Sequence, residues 1–247
     1  RNVAKSYNAT KSRRISIIPH PDTIDIYNDQ TWTLLSGMQI GYDDSISSFG
    51  EELSNFISDT LYVPTGIRLE VVHTSSVPLG IQLLHSNDDE YHLMIDSNVV
   101  TILGKNRELI FDGFQSLLQL FPPQIYSNTT ITDQIDWTVP CVFVHDRPRF
   151  QWRGIMVDIS RRFIDIQAMK KLVDSMSHFK LNTLHLHLTD DQGWRIEMAN
   201  YPNLTTIGSY RESSPKKWDR SHTDGVPYGP FYYSIEEIKD LIEFAKN

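Results

Sequence analysis

The sequence predicts an α/β protein in two parts, a small α+β domain followed by the opening of a β/α series. Short β-branched and aromatic runs separated by turn residues fill the first half, and two helical periodicities interrupt them. Strand and helix patterns alternate in the second half. We therefore expect residues 1–147 to form the α+β domain and residues 148–247 to begin a parallel sheet or barrel.

The first part is expected to hold a mainly antiparallel sheet with two helices. Its polar first dozen residues are interpreted as a loose arm, and two short strands, 15–19 and 23–27, follow around a turn. Ser48 and Glu51 form a capping-box pattern ahead of the first helix, and the second helix is predicted over residues 106–120. Further strands are predicted at 67–72, 79–84, 91–95, 99–103 and around Cys141.

The second part alternates strand and helix. Residues 154–159 form an apolar strand, residues 165–178 carry apolar side chains at helical spacing, and residues 184–188 form the next strand. A long loop rich in proline and glycine leads to the capping box Ser234-Ile-Glu-Glu237 and a last helix. Two strands cannot close a barrel, so we expect the missing strands to come from another chain or from sequence outside these 247 residues.

Composition excludes several classes of protein. The chain has 23 Lys and Arg against 31 Asp and Glu, a net charge of −8, and no long basic block, which argues against general nucleic-acid binding. No apolar run approaches the roughly 20 residues that cross a bilayer. The single cysteine, Cys141, excludes an internal disulfide and a cysteine-cluster metal site, and we interpret it as a small buried hydrophobe.

Two features concern the cellular compartment. The chain opens at Arg1 without an initiator methionine, which suggests a processed product. Three Asn-x-Ser/Thr glycosylation sequons lie at Asn8, Asn128 and Asn203, each among turn or polar residues that would accommodate a glycan. These features favour a lysosomal or secreted location.

Charged side chains follow both strands of the β/α series. Asp158 and Arg161 come after the first strand, and Asp190 and Asp191 come after the second. Polar residues beyond the carboxyl ends of parallel strands face the ligand crevice, so we expect these groups to converge on one ligand. An arginine beside a carboxylate is an oriented donor suited to neighbouring sugar hydroxyls. The alternative is a set of structural ion pairs and caps at the strand ends.

Other candidate groups carry weaker signals. His185 and His187 share one face of their strand and would hold a metal together with Asp190, but packed, hydrogen-bonded histidines are the commoner case, so no metal site is predicted. Trp218, on an exposed loop, is the tryptophan best placed to stack on a sugar. Trp194 is ambiguous and Trp152 is expected to be structural, while the acidic run at 88–90 is interpreted as solvated surface.

The chain resembles the family 20 glycoside hydrolases, the β-N-acetylhexosaminidases, along most of its length. The longest matching stretches are residues 148–161 (PRFQWRGIMVDISR) and 180–197 (KLNTLHLHLTDDQGWRIE). Residues 232–239 (YYSIEEIK) also match, and residues 112–120 (DGFQSLLQL) resemble the accessory domain of the family. The resemblance implies an accessory domain followed by the first two β/α units of a TIM-type (β/α)8 barrel.

The resemblance also implies an activity. Members of the family remove terminal non-reducing N-acetylhexosamine by a substrate-assisted retaining mechanism without a cofactor. Arg161 would bind sugar hydroxyls, and Asp190 would orient a histidine outside this chain that supports the catalytic acid, with Asp158 and Asp191 beside them. The Asp-Glu pair of the family is not among these 247 residues, so activity is expected only when the barrel is completed.

The expected partners are glycans ending in N-acetylglucosamine or N-acetylgalactosamine and the remaining barrel polypeptide, and a homodimer is left open as the assembly. The alternative hypothesis is a non-catalytic fragment of the same fold that binds carbohydrate or another protein. Reading the coding sequence past Asn247 would separate the two hypotheses, since a His-x-Gly-Gly-Asp-Glu-like stretch there would favour the enzyme.

Overall fold

A computed structural model of the chain describes residues 15–216 and 219–246. The chain divides into two compact units, Arg1–Arg149 and Phe150–Asn247. The sequence analysis placed its domain boundary between residues 147 and 148. Helices and strands are mixed in both units, so the predicted α/β class is confirmed. Within the described residues, no helix combines the length and the apolar character needed to cross a lipid bilayer.

Among its described residues, the first unit contains seven strands and two α-helices. The strands are β1 (Thr23–Thr33), β2 (Gln39–Tyr42), β3 (Glu70–His73), β4 (Gly80–His85), β5 (Tyr91–Ile95), β6 (Val99–Gly104) and β7 (Thr138–Asp146). The helices are α1 (Gly50–Thr65) and α2 (Arg107–Leu118), with short 3₁₀ turns at Asp44–Ile46 and Pro123–Tyr126.

The seven strands form one mixed sheet in the order β1-β7-β5-β6-β4-β2-β3. The pairs β1–β7, β7–β5 and β5–β6 are antiparallel, whereas β6–β4, β4–β2 and β2–β3 are parallel. The predicted, mainly antiparallel sheet is therefore wrong. For β2 and β3 the reason is α1, which carries the chain from one strand to the other, and such a crossover makes the two strands parallel.

Two local predictions in this unit are also wrong. Residues 15–19 do not form a strand, and β1 instead runs from Thr23 to Thr33, with a shift in its register against β7 between Ile26 and Thr31. The capping box at Ser48 and Glu51 does not form, because α1 begins at Gly50 with Phe49 at its N-cap and no side-chain hydrogen bond there. The second helix is better predicted, since Asn106 caps α2 by accepting a 2.9 Å hydrogen bond from the Leu109 backbone N–H.

The core of the first unit lies between the helices and one face of the sheet. Along β5 the side chains of Tyr91, Leu93 and Ile95 are buried, whereas those of His92 and Met94 are not. Alternate residues of a strand point to opposite faces, so His92 and Met94 lie on the face away from this core. Cys141 is buried in β7, which confirms its interpretation as a small core residue, and burial raises the pKa of its thiol, with a contribution from the charge of Asp96.

The second unit contains the predicted strand–helix–strand series. Its elements are β8 (Gly154–Asp158), α3 (Ile166–His178), β9 (Thr183–His187), β10 (Thr189–Asp190), β11 (Gly193–Trp194), α4 (Asn203–Thr206), β12 (Pro215–Lys216), β13 (Asp219–Thr223) and α5 (Ile235–Lys246). Strands β8 and β9 pair in parallel, and β10–β11 and β12–β13 are short antiparallel pairs.

Helix α5 begins at the predicted capping box. The Glu237 backbone N–H donates to Ser234 Oγ at 3.1 Å, and the Ser234 backbone N–H donates to Glu237 Oε2 at 2.8 Å. These two N–H groups at the start of the helix are therefore satisfied by side chains.

Apolar side chains of the second unit are incompletely covered. Among the described residues its buried apolar cluster consists of Ile159, Met169, Tyr233 and Leu241, with partly buried side chains packed around them. Met156 in β8 is exposed, and Trp152, just before the strand, is 68% exposed. The physical reason is that a two-stranded sheet leaves its own apolar side chains without a covering layer.

Candidate functional site

The candidate site lies where β8 and β9 end at the same edge of their sheet. The two strands are parallel, and Asp158 is the register partner of His187. The chain turns after Asp158, and the Arg161 backbone N–H donates to Asp158 Oδ1 at 3.0 Å. The Arg161 side chain returns to the same carboxylate, with Nη1 2.8 Å from Asp158 Oδ2. The turn and the side chain therefore fix the position of the guanidinium together.

Asp190 is the second carboxylate of the site. Its Oδ2 atom lies 2.9 Å from Arg161 Nη2 and 2.9 Å from His187 Nε2, and its Oδ1 atom accepts a 2.8 Å hydrogen bond from the Asp191 backbone N–H. The predicted proximity of Arg161 and Asp190 is confirmed. Asp190 also contacts His187 at the end of β9, a proximity that the sequence analysis considered only for a metal group, and Asp191 contributes a backbone donor.

Gln192 completes the surroundings of the guanidinium. Arg161 Nε donates to Gln192 Oε1 at 2.8 Å. A guanidinium has five N–H groups, and three of them are used by Asp158, Asp190 and Gln192. Among the described residues no partner takes the remaining two, and the Arg161 side chain is 46% exposed. The site therefore presents an oriented cation with two N–H donors available to a ligand.

The electrostatics of the site hold both carboxylates ionised. Partial burial acts to raise the pKa of Asp158, but the hydrogen bonds and charge of Arg161 and the charge of His187 outweigh it, so the pKa lies below its ordinary value. The pKa of Asp190 is lowered first by the Asp191 backbone hydrogen bond and further by Arg161 and His187. The hydrogen bond to Asp158 raises the pKa of Arg161. The ion pairs are therefore complete at neutral pH.

A second arginine shapes the loops behind the site. Arg195 is fully buried and donates to four backbone carbonyls, those of Ser160, Gln192, Ser209 and Phe231. Burial, and then the nearby charge of Arg211, lowers its pKa. One of these carbonyls belongs to Ser160, the residue before Arg161, and another belongs to Gln192, whose side chain accepts from Arg161. Arg195 therefore fixes the backbone on both sides of the Arg161 contact.

Arg211 supports the same loops from outside. Its Nη2 donates to the Arg161 carbonyl at 3.0 Å and its Nη1 donates to the Gln192 carbonyl at 3.1 Å. The guanidinium lies over the Tyr228 ring, 4.0 Å from the centroid. The sequence analysis missed Gln192, Arg195 and Arg211, and the only available signal was their position within or near the stretches that match the family.

The alternative metal group is not assembled here. His187 bonds to Asp190, whereas the His185 side chain is exposed, and the described residues bring no three metal-ligating atoms of His185, His187 and Asp190 together. The finding agrees with the interpretation of His187 as a hydrogen-bonded histidine.

The remaining candidate residues lie in different settings. Trp194 is half-buried and donates its indole N–H to the Ile196 carbonyl at 2.7 Å, which is a structural contact. Trp218 and Asn8 lie outside the described residues. Asn128 and Asn203 are exposed.

Comparison with protein families gives two matches that together span almost the whole chain. Residues 14–147 match the profile described as glycosyl hydrolase family 20, domain 2. Residues 150–247 match the profile described as glycosyl hydrolase family 20, catalytic domain. The first of these matches covers more than half of the chain.

Curated relatives agree with the profiles. A Beta-hexosaminidase from Porphyromonas gingivalis is 35% identical over 94% of this chain and 29% of its own length. A Beta-hexosaminidase from Akkermansia muciniphila is 43% identical over 73% of this chain and 34% of its own length. The chain spans about a third of the length of these relatives.

Solved structures show the same fold. The GH20 beta-N-acetylhexosaminidase from Streptomyces coelicolor superposes with a TM-score of 0.76 at 29% identity, covering 93% of this chain and 44% of that one. A mutant Streptomyces plicatus beta-hexosaminidase in complex with product (GlcNAc) gives a TM-score of 0.75 at 31% identity, covering 93% and 43%.

Proposed function

The chain belongs to glycosyl hydrolase family 20, and from that premise we propose that it is part of a β-N-acetylhexosaminidase that removes terminal non-reducing N-acetylhexosamine residues. The observation that supports this most directly is the Arg161 guanidinium, held by two carboxylates and Gln192 with two N–H donors still available. Hydroxyls of a pyranose are acceptors for such charged donors.

In this proposal Arg161 binds hydroxyls of the terminal sugar and sets its orientation. Asp158 and Asp190 hold the guanidinium from two sides, so little side-chain freedom is lost when the sugar binds. Asp190 also supports a histidine that acts on the catalytic acid, as the family resemblance implies. The contacts of Asp190 with Arg161, His187 and the Asp191 backbone N–H support that role, because they fix the orientation of its carboxylate.

The proposed chemistry is substrate-assisted and retaining. The 2-acetamido oxygen of the sugar attacks the anomeric carbon while a glutamic acid protonates the leaving oxygen, and water then opens the oxazolinium intermediate with that glutamate as base. An adjacent aspartate steadies the acetamido nitrogen. In the family both acids lie further along the barrel than the first two β/α units, so this chain supplies part of the sugar subsite.

We assign β8, α3, β9 and α5 to the first units of a TIM-type barrel. The support is the match of residues 150–247 to the catalytic domain of the family, together with the exposed apolar side chains of β8. Parallel strands are normally covered on both faces, so these side chains need further strands and helices around them. In the same scheme residues 1–147 form the accessory domain.

The proposed substrates are glycans that end in N-acetylglucosamine or N-acetylgalactosamine. The relatives are named beta-hexosaminidases, and one related structure is a complex with GlcNAc as product. A lysosomal or secreted location and glycans at Asn8, Asn128 and Asn203 also belong to the proposal, and loss of mass on treatment with peptide N-glycosidase F would test the glycans. A homodimer is tested by light scattering.

The decisive experiment measures hydrolysis of p-nitrophenyl N-acetyl-β-glucosaminide and the matching galactosaminide by the full-length polypeptide. Arg161→Ala should lower kcat/KM by on the order of 100-fold or more, because a charged donor to the transition-state sugar is lost. Arg162→Ala is the matched control, since it removes an equal charge from the neighbouring exposed position and should leave the rate within about twofold.

Equal rates for the Arg161→Ala variant and wild type would overturn the assignment of Arg161. Wild-type protein that binds N-acetylglucosamine but hydrolyses neither glycoside would instead favour the alternative, a non-catalytic carbohydrate-binding fragment of the same fold.

A further inference from the structure

Three metal-ligating side chains meet on the first unit, whereas the Arg161 site belongs to the second unit. His92 in β5 and His145 in β7 are direct register partners on the sheet face opposite the helix-covered core. Glu90 lies just before β5 and its Oε2 atom is hydrogen-bonded to His145 Nε2. Residues 90 and 145 are 55 positions apart in the chain, so only the pairing of β5 with β7 brings them together.

The three side chains point at a common volume. One ligand atom from each of Glu90, His92 and His145 lies within 4.8 Å of the other two. The two imidazole rings are stacked, with centroids 5.0 Å apart and planes 12° apart, and the Phe143 ring stacks on His92 at 5.9 Å. All three ligating side chains are half-buried, so their rotamers are restricted while the site stays open to solvent.

We propose that Glu90, His92 and His145 form a binding site for Zn²⁺. Imidazole nitrogen and carboxylate oxygen are zinc ligands at about 2.0–2.2 Å, whereas Mg²⁺ and Ca²⁺ select oxygen ligands. Ligand atoms around a tetrahedral zinc are about 3.4 Å apart, so small rotations of the side chains complete the site. The fourth position is taken by water or by Asp88, whose Oδ2 lies 3.8 Å from His92 Nε2.

The surrounding charges fit a cation bound through one oxygen of Glu90. Arg147 Nη1 is 3.9 Å from Glu90 Oε1, which leaves Oε2 facing His145. Asp88 adds negative charge beside His92, and the nearby Lys105 is engaged with Asp89 at 2.6 Å. Arg147 is thus the one cation in contact with a ligand among the described residues, and the Arg147→Gln variant should bind Zn²⁺ more tightly than wild type.

A metal at this position joins two neighbouring strands of the sheet. β5 and β7 are antiparallel partners, and Glu90 and His92 come from one side while His145 comes from the other. Binding to the folded state alone raises the unfolding temperature in proportion to the logarithm of ligand concentration. The proposal concerns the first unit and is independent of glycoside hydrolysis.

The test is a Zn²⁺ titration of metal-stripped protein in competition with a chromophoric chelator, accompanied by thermal unfolding with and without Zn²⁺. We expect one strong site in wild type and a rise in unfolding temperature on adding Zn²⁺. We expect His92→Gln, His145→Gln and Glu90→Gln each to lower the affinity for Zn²⁺ by on the order of 100-fold or more and to abolish the rise in unfolding temperature. Loss of a residue that only hydrogen-bonds to a metal ligand already lowers metal affinity by about 10–100-fold.

His73→Gln is the matched control. His73 also faces a carboxylate, with Nε2 3.0 Å from Asp44 Oδ1, but it belongs to no group of three ligands among the described residues. This variant should bind Zn²⁺ as wild type does. The proposal would be overturned if wild type had no strong Zn²⁺ site, or if the His92, His145 and Glu90 variants bound Zn²⁺ as tightly as the His73→Gln variant. Unfolding curves recorded without Zn²⁺ show whether each variant is folded.

Discussion

At the residue scale, the candidate site depends on a buried cation that no ligand would touch. Arg195 has 0% exposure and meets backbone carbonyls of Ser160, Gln192, Ser209 and Phe231 in place of a carboxylate. Carbonyl dipoles replace the hydration of the guanidinium, and each carbonyl in turn depends on it as a donor. The loops after β8 and β9 are therefore held together through one side chain.

Gly193 belongs to the same arrangement. A Cβ atom at this position would lie 2.3 Å from the Arg195 guanidinium carbon, which is closer than real contacts allow. The absence of a side chain at Gly193 is what permits the guanidinium to approach the backbone. Gly193 is thus required by the packing of Arg195, whichever ligand the site binds.

Replacement of Arg195 by Met should therefore destabilise the protein strongly. Met fills a similar volume but donates no hydrogen bond, so the four carbonyls lose a buried donor and the expected loss is about 3 kcal/mol or more of unfolding free energy. Arg162→Met, at an exposed position of the loop after β8, should change it by less than about 0.5 kcal/mol. Urea unfolding measures both, and similar midpoints for the two variants would contradict this account of Arg195.

At the scale of single elements, the capping-box sequence Ser-x-x-Glu occurs at two predicted helix starts, but its hydrogen bonds form at only one of them. Ser234 and Glu237 make the reciprocal hydrogen bonds of a capping box at α5. Ser48 and Glu51 have the same spacing, but the 3₁₀ turn at Asp44–Ile46 leads into α1 at Gly50. The Ser-x-x-Glu sequence thus predicts that a helix starts nearby, but the N-cap position depends also on the conformation of the residues before the helix.

The two serines give a matched pair of variants. Ser234→Ala should lower the free energy of unfolding by about 1 kcal/mol, because the Glu237 N–H loses its side-chain acceptor. Ser48→Ala should change it by less than about 0.5 kcal/mol, because α1 has no side-chain cap. Chemical unfolding of the two variants beside wild type tests this, and an equal loss in both would show that the motif stabilises α1 as well.

Much of the element content could be predicted because its signals are local. The strand at 91–95 and the helix caps at Asn106 and Ser234 follow from alternation and side-chain acceptors within a few residues. Strand β2 was missed because it is four residues long and contains Gly41. The parallel pairings were missed because they depend on which strands become neighbours after α1 crosses the sheet.

The site could be predicted only in part for the same reason. Arg161 and Asp190 were found because the ends of parallel strands meet at one edge. Arg195 and Arg211 were not, because a backbone carbonyl acceptor leaves no mark in the sequence. Likewise the run at 88–90 was interpreted as solvated surface, whereas Glu90 is half-buried against His145, a partner that only the sheet order reveals.

At the scale of the whole molecule, the two units differ in how completely they bury apolar surface. In the first unit the described residues form one extensive cluster that includes Trp32, Phe114 and Val144, sandwiched between helices and a seven-stranded sheet. In the second, the corresponding cluster holds four buried residues under a two-stranded parallel sheet. Burial of apolar surface is the main source of stability, so the first unit should be able to fold alone and the second should not.

We therefore expect residues 1–149, produced alone, to unfold cooperatively in urea, and residues 150–247, produced alone, to bind a hydrophobic dye such as ANS without a cooperative transition. The exposed Met156 and Trp152 are the kind of surface to which such a dye binds. Amide hydrogen exchange gives a second measurement, with slow exchange expected in β5 and β7 of the first piece and fast exchange in β8 of the second. A sharp unfolding transition for residues 150–247 would show that the small cluster around Tyr233 suffices, and it would remove the main physical reason for assigning further strands to this sheet.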